Sequence, residues 1–358
     1  MLALAPVLGP LQLGANQPKQ FYRGGEAIVA FRGVPSSHEP GPEDWVASTT
    51  VRFGQAPAGL SKLPDGTYLK DAVERGPEAW LGPEHMRLFG ASTGVLVKLL
   101  DAAERLPVHL HPPREFAYRH LGERHGKTES WVIVGTKGAE PAAYLGWTKD
   151  VAPDELDKWV DEQDTKAMLG NLHRLPVRPG DAILVPAGTP HAIGEGVFCV
   201  EVQEPTDFSI MLELEGFGMD RASAYLGLER ELALSCVRRQ AFSPAQVAEL
   251  RRPAPTQGVK AALVEDVLPP AARPYFRIQR VRGGARALEP SFAVLVGIQG
   301  SGLMTGEGWH LQLKRGTTAV VPWGAGRSDL NGEVEVLRCL PPLPSDFERD
   351  DPKAVSGQ

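Results

Sequence analysis

Short apolar runs separated by glycine- and proline-rich turns recur along most of the chain, and this pattern predicts a mainly β protein with α insertions. A typical run is 95–100, in which only Lys98 is polar. The runs predicted to be strands are 27–31, 45–53, 95–100, 131–134, 182–186, 197–203, 275–281, 291–300, 310–316, 318–324 and 333–340.

Short helices broken at Gly76 and Gly90 are predicted over 71–89. Helices are also predicted in three later segments, 154–173, 222–239 and 243–252. The last begins with a serine cap followed by proline, and the segment 253–258 after it has the composition of a linker. We therefore expect three parts. The first is a strand-rich domain over 1–215, with a helical insert at 154–173. The second is a helical segment with a linker over 216–258, and the third is another strand-rich domain over 259–358.

Composition and charge exclude several classes of function. The chain has 358 residues and a net charge of −6, and its lysines and arginines are scattered, so nucleic acid is not an expected partner. No window approaches the ~20 apolar residues that a membrane helix needs, and the N-terminal stretch lacks the basic start of a signal peptide. Three cysteines, far apart and odd in number, indicate a reducing, cytoplasmic location.

Four residues have the types and spacing of a metal site. His109 and His111 are two positions apart, so on a strand both would point to one face. Glu129 precedes the apolar run 131–134, and His191 follows a strand that is closed by a Pro-Ala-Gly-Thr-Pro turn. Three imidazoles and one carboxylate suit zinc, and equally iron, manganese, cobalt or nickel as divalent ions.

The pairing of a His-x-His strand with a Gly-x5-Pro-x-Gly-x2-His turn resembles the cupin double motif. The gap from His111 to Glu129, with Gly-Lys-Thr-Glu-x-Trp at its end, resembles the type I phosphomannose isomerases. The segments 43–48, 95–102 and 201–203 are also similar to that family. The resemblance implies two cupin jelly-roll barrels. The second would be free of metal, because 313–322 repeats the pattern of 178–186 without a following histidine.

The resemblance also implies an enzyme that interconverts mannose 6-phosphate and fructose 6-phosphate with one Zn²⁺ per chain. Its ligands would be His109, His111, Glu129 and His191. The expected catalytic residues are Lys127 and Glu201, either of which could move the proton, and an internal salt bridge between them is the alternative. Lys98 is expected to line the sugar pocket, or else to reach solvent. The partner is a sugar or sugar phosphate, and a homodimer is possible.

Two positions depart from the family pattern where a phosphate would bind. Met211 stands where the family has an arginine, and Pro107 stands where it has a serine. A phosphate needs cationic or N–H donors, so Arg114, Arg119 or Arg221 would have to supply the missing charge. Arg114 is the substrate-binding candidate among them.

Two other functions are compatible with the same residues. A cupin dioxygenase could use Fe(II) on these four ligands, since the ligand set does not choose the metal. A non-catalytic sugar binder could have kept the metal and lost the arginine. His120 and His125 lie between the ligands in a charged segment and are expected to be bystanders.

Overall fold

The computed structural model describes residues 8–33, 41–255 and 261–347, which form a mainly antiparallel β structure with short helices. The strands are β1 (Leu11–Gln12), β2 (Glu43–Val46), β3 (Leu96–Asp101), β4 (His109–Leu110), β5 (Glu129–Thr136), β6 (Ala142–Trp147), β7 (Leu172–Pro176), β8 (Ala182–Val185), β9 (His191–Ile193), β10 (Val197–Gln203), β11 (Ile210–Met211), β12 (Arg251–Arg252), β13 (Val264–Asp266), β14 (Arg277–Arg282), β15 (Ala293–Gly306), β16 (Trp309–Lys314), β17 (Thr318–Val321) and β18 (Ser328–Leu340). The helices are α1 (Glu26–Arg32), α2 (Leu69–Arg75), α3 (Pro77–Leu81), α4 (Pro83–Phe89), α5 (Arg114–His120), α6 (Pro153–Asp161), α7 (Thr165–Gly170), α8 (Arg221–Ala224), α9 (Arg230–Leu234), α10 (Pro244–Glu249) and α11 (Pro344–Phe347).

These strands form three sheets. The first has the order β12-β8-β5-β10-β3-β2, and the second has the order β11-β4-β9-β6-β7. The third has the order β1-β17-β15-β18-β14-β13, with β16 paired to β15. The predicted fold class, mainly β with α insertions, is confirmed. Within the described residues no sheet closes into a barrel, and residues of the first two sheets share one apolar core.

One pairing joins the two ends of the described chain. Leu11 in β1 pairs with Val320 in β17, so the N-terminal strand belongs to the sheet built by the C-terminal part. The division of the chain at 215 and 258 stays a prediction. No helix among the described residues is long and apolar enough to cross a bilayer.

The prediction of a strand at 27–31 is wrong, because this segment is helix α1. Gly25 and Gly33 flank it with φ angles of 111° and 66°, a left-handed conformation that turns the chain into and out of the helix. Ile28 and Phe31 are buried one turn apart. The flanking glycines therefore favour a helix here, although the β-branched residues of the segment favour a strand.

The predicted helix at 154–173 is two short helices followed by a strand. Between α6 and α7, Gln163 has a φ of 52°, and its amide donates to Val160 O at 2.7 Å. The Asp164 side chain then caps α7 by accepting from Ala167 N at 2.9 Å. The predicted helix at 222–239 is likewise α8 and α9, and that at 243–252 ends as α10 before strand β12.

A turn between β8 and β9 connects the first two sheets. Gly188 in this turn has a φ of 79° and donates its N–H to the carbonyl of His111 at 2.6 Å. A Cβ at Gly188 would meet the carbonyl oxygen of Cys236 at 3.0 Å. The turn therefore requires glycine, and it fixes the strand that begins at His191 against the strand that carries His109.

We expect Gly188→Ala to destabilise the protein by about 1–2 kcal/mol, because alanine is strained at this φ and its methyl group meets a backbone atom. The measurement is urea unfolding of metal-free protein. Gly170→Ala is the matched control: nothing lies within 4 Å of its Cβ and it ends a helix, so stability should stay the same or rise. Equal stability of the two variants would contradict the role given to Gly188.

Candidate metal centre and its cavity

Three histidines meet where β4 and β9 pair. His109 lies directly opposite His191 in this antiparallel pair, and His111 follows two residues after His109 on the same face. Leu110 points the other way into a separate apolar core. The ring centroids are 4.2 Å apart for His109 and His191, and 4.8 Å apart for His111 and His191. The sequence predicted that these three histidines lie together, and they do so in the structure.

Each of the three imidazoles donates its Nδ1–H to a backbone carbonyl. The acceptors are Pro107 O for His109, Phe208 O for His111 and Thr189 O for His191, each at 2.8 Å. These bonds fix the tautomer with a lone pair on Nε2, which is the arrangement that metal-binding histidines show.

The remaining ring nitrogens fit a divalent metal. The three ligand atoms lie within 4.8 Å of one another, and His191 Nε2 is buried without a hydrogen-bond partner. Burial lowers the pKa of His111 to about 3 and that of His109 well below its usual value, so both rings are neutral, as ligation requires.

Glu129, the first residue of β5, brings a carboxylate to the same place. Its two oxygens lie 2.9 Å from His111 Nε2 and 3.3 Å from His191 Nε2. Burial opposes its ionisation, but His111 and Lys127 hold its pKa well below the usual range. A carboxylate beside three imidazoles completes a donor set that suits a divalent transition metal.

A cavity of about 410 Å³ opens beside this group. Lys127, Glu201 and Lys98 all line it, together with His109 and Glu129. The volume is in the range of small-molecule sites.

The two lysines of the cavity have different partners. Lys127 Nζ lies 3.1 Å from His111 Nε2 and 3.4 Å from Glu129, whereas Lys98 Nζ lies 3.5 Å from Glu43 and 3.7 Å from Glu201. The alternative prediction, a salt bridge between Lys127 and Glu201, is therefore not what the structure shows: Lys127 pairs with Glu129, and Lys98 pairs with Glu201 and Glu43. Lys98 does not reach solvent either, because its side chain is buried.

The electrostatics of Glu201 suit proton transfer. Burial, opposed by Lys98, raises the pKa of Glu201 to about 8. Burial acts in the opposite direction on Lys98, yet Glu201 and Glu43 raise the lysine pKa above its ordinary value. Lys98 thus stays cationic, while the neighbouring carboxyl titrates close to neutral pH.

Sequence reasoning missed three cavity residues. Glu43 accepts hydrogen bonds from Tyr22 Oη at 2.6 Å and from the Trp45 indole at 2.6 Å, which hold its carboxylate beside Lys98. Asp207 and Arg52 also line the cavity. The available signal was a glutamate in a strand buried on both faces, where a charge needs partners.

Arg114 is placed away from the cavity. Its Nε donates to Glu204 at 2.6 Å, and its guanidinium lies 4.4 Å from the centre of the Tyr275 ring. These contacts join α5 to the loop that precedes β14, so this geometry does not support substrate binding by Arg114. The other two candidate cations are exposed and paired with surface carboxylates, Arg119 with Glu115 and Arg221 with Asp161.

Met211 and Pro107 both line the cavity, so the two positions that depart from the pattern expected from the sequence face this space. Met211 pairs with His109 across β11 and β4 and supplies no donor there. Neither His120, which is exposed, nor His125, whose Nδ1 lies 3.7 Å from Glu204, belongs to the three-histidine group.

No family model matches the chain. Among curated proteins, the chain is 28% identical over 323 residues to the mannose-6-phosphate isomerase ManA of Bacillus subtilis, an alignment that covers 88% of this chain and 93% of that protein.

Among solved structures, the chain is similar to a mannose 6-phosphate isomerase of Bacillus subtilis, with a TM-score of 0.64, 23% identity and coverage of 92% of this chain and 99% of the other. It is also similar to a mannose 6-phosphate isomerase bound with zinc and yttrium, with a TM-score of 0.68, 17% identity and coverage of 94% and 100%. These likenesses establish the fold.

We expect His191→Ala to lower the bound divalent metal from about one ion per chain to a small fraction of that, because it removes the ligand opposite His109. The measurement is metal content by mass spectrometry after dialysis. His120→Ala, which removes an exposed imidazole outside the group, should keep the wild-type content. Wild-type metal content in the His191 variant would contradict the site.

Proposed function

We propose that this chain belongs to the mannose-6-phosphate isomerase family and interconverts mannose 6-phosphate and fructose 6-phosphate with the help of one zinc ion. The observation that carries the proposal is the buried three-histidine group with Glu129, set in a cavity that also holds a titratable carboxyl and two lysines. Three free cysteines support a reducing, cytoplasmic setting.

The donor set supports zinc. Zinc is ordinarily bound by imidazole nitrogens and carboxylate oxygens. In each of the three histidines here, Nδ1 donates to a backbone carbonyl, which leaves Nε2 for the metal. When bound, zinc supplies a Lewis acid that polarises the sugar oxygens at C1 and C2 and stabilises the negative charge that develops on them. His109, His111, Glu129 and His191 would hold it.

Aldose–ketose isomerisation requires one group that takes the proton from C2 and returns it to C1. Glu201 is our choice, because a carboxyl with a pKa of about 8 can accept and release a proton near neutral pH. Lys98, which stays charged beside it, holds the carboxyl in place and favours its ionised form.

Lys127 takes the second catalytic role. Its ammonium lies between His111 and Glu129 at the inner end of the cavity, where it can donate a hydrogen bond to a sugar oxygen that gains negative charge. Glu43, which is buried, and Asp207, which is half-buried, are acceptors in the cavity wall that suit the neutral hydroxyls of the sugar. The inner cavity is therefore built for a polyol rather than for a phosphate.

The phosphate of the substrate fits the outer part of the cavity, at Arg52. Phe53 N donates to Asp207 at 3.1 Å, which anchors the loop that carries Arg52 to the cavity wall. The Arg52 guanidinium donates to the amide of Gln55 at 2.8 Å, an uncharged acceptor that a dianionic phosphate can displace. Arg52 would then supply the charge that Met211 does not.

The function is tested by NMR of zinc-loaded protein in D2O with mannose 6-phosphate. We expect fructose 6-phosphate to form with deuterium at C2 of the recovered aldose, because the proton carrier exchanges with solvent. Glu201→Gln should lower the rate by about 100-fold or more with unchanged zinc content, because a glutamine cannot take the proton.

Loss of deuterium exchange in Lys127→Met with retention in Glu201→Gln would reverse the two assignments. Oxygen uptake without ketose formation in the iron-loaded protein would favour a dioxygenase. Sugar binding without turnover would favour a non-catalytic binder.

We expect Arg52→Gln to raise KM for mannose 6-phosphate by about tenfold or more with little change in kcat, because the lost contact would bind the phosphate and not the reacting carbons. Turnover of unphosphorylated mannose should not change. Arg119→Gln is the control, since that arginine pairs with Glu115 outside the cavity. An unchanged KM in the Arg52 variant would remove this arginine from phosphate binding.

A further inference from the structure

Two arginines share one face of the third sheet, far along the chain from the metal centre. Strands β14 and β18 pair so that Gln279 lies opposite Arg338 and Arg277 lies opposite Leu340. Side chains two residues apart on a strand share a face, so Arg277 and Arg338 are diagonal neighbours on the same side of the sheet.

Uncharged groups hold these two guanidinium groups. Arg338, which is 7% exposed, donates to the Gln279 amide oxygen at 3.0 Å and to the backbone carbonyl of Glu289 at 2.5 Å. Arg277 donates from Nε to Pro341 O at 3.0 Å. The Glu289 carboxylate is directed instead to Arg327, at 2.8 Å. Within the described part of the chain, neither guanidinium has a carboxylate at ion-pairing distance.

Two like charges lie close together here, one on the buried Arg338 and one on the half-buried Arg277, while Asp266, Asp346 and Glu289 act on them only from beyond ion-pairing distance. Burial lowers the pKa of Arg277, and burial together with the nearby Arg277 lowers the pKa of Arg338 to about 10. An exposed arginine of this protein pairs with a carboxylate instead, as Arg327 does with Glu289. An anion placed between Arg277 and Arg338 would relieve the repulsion and accept their remaining N–H groups.

A cleft of about 700 Å³ gives access to the pair. The segment 286–291, helix α4 and the segment 340–344 form its walls, and Trp323 and Leu343 expose apolar surface at 37% and 44%. The Trp323 ring packs on the backbone of Gly82, where a Cβ would lie 2.6 Å from the ring, so its position is fixed. The cleft and the metal cavity have no lining residue in common.

We propose that this cleft is a second binding site, which takes a small molecule carrying a phosphate group. The forked guanidinium of Arg277, together with that of Arg338, matches a tetrahedral oxyanion, and Trp323 offers a flat apolar face for the rest of the ligand. The site goes beyond the proposed isomerase reaction, because none of its residues reaches the reacting sugar.

The test is calorimetric titration of the zinc-loaded full-length chain with inorganic phosphate. We expect Arg277→Gln to weaken phosphate binding by about tenfold or more, since it removes a charge-assisted donor pair. Arg277→Lys should give an intermediate affinity, because the charge stays and the fork is lost. Arg286→Gln is the matched control, since that arginine lines the same cleft but donates to Asn331.

Three outcomes would overturn the proposal. One is absence of phosphate binding by the wild-type chain, and another is equal binding by the wild type and Arg277→Gln. The third is loss of binding in Arg52→Gln with retention in Arg277→Gln, which would place the anion in the metal cavity. Circular dichroism and isomerase rates of the Arg277 variants should match the wild type, which separates this result from a folding defect and from failure of the proposed reaction.

Discussion

The geometry of the metal centre depends on a single pair of residues, His109 and His191, which lie opposite each other where β4 and β9 meet. A shift of this pairing by one residue would turn the imidazole of His109 away from the group, because alternate residues on a strand face opposite sides. The pairing itself is short. Its register is fixed by the glycine turn that binds the carbonyl of His111 and by the carbonyls that receive the three Nδ1–H groups.

The cationic side chains of the cavity have different partners near the histidines and at the outer end. Near the histidines, each lysine lies beside carboxylates, so neither lysine is left as an unpaired cation that would attract a phosphate. At the outer end, Arg52 is held by an amide only. In the proposed function this difference would orient a phosphorylated sugar with its reactive end inward and its anionic end at Arg52.

The sequence predicted the elements whose signals are local. The His-x-His strand, the proline and glycine turn before His191 and the glutamate before an apolar run each lie within a few residues, and the structure brings them together. Helix α1 was missed because its apolar residues also suit a strand, and only the flanking glycines distinguish the two.

The remaining cavity residues depend on long-range packing. Glu43 reaches Lys98 because β2 pairs with β3, and Arg52 reaches the cavity because its loop binds Asp207. No spacing in the sequence encodes either approach. Arg114 shows the reverse, since its place beside the metal ligands in sequence suggested substrate contact, whereas the fold directs it to Glu204.

The pairing of β1 with β17 has a consequence for synthesis on the ribosome. Leu11 emerges early, but its partner Val320 is made only after most of the chain. The edge of β1 must therefore wait, while the first two sheets, whose strands lie between 43 and 252, can already pair. The third sheet is therefore completed by residues that lie about 300 positions apart, only after the segment around Val320 has been made.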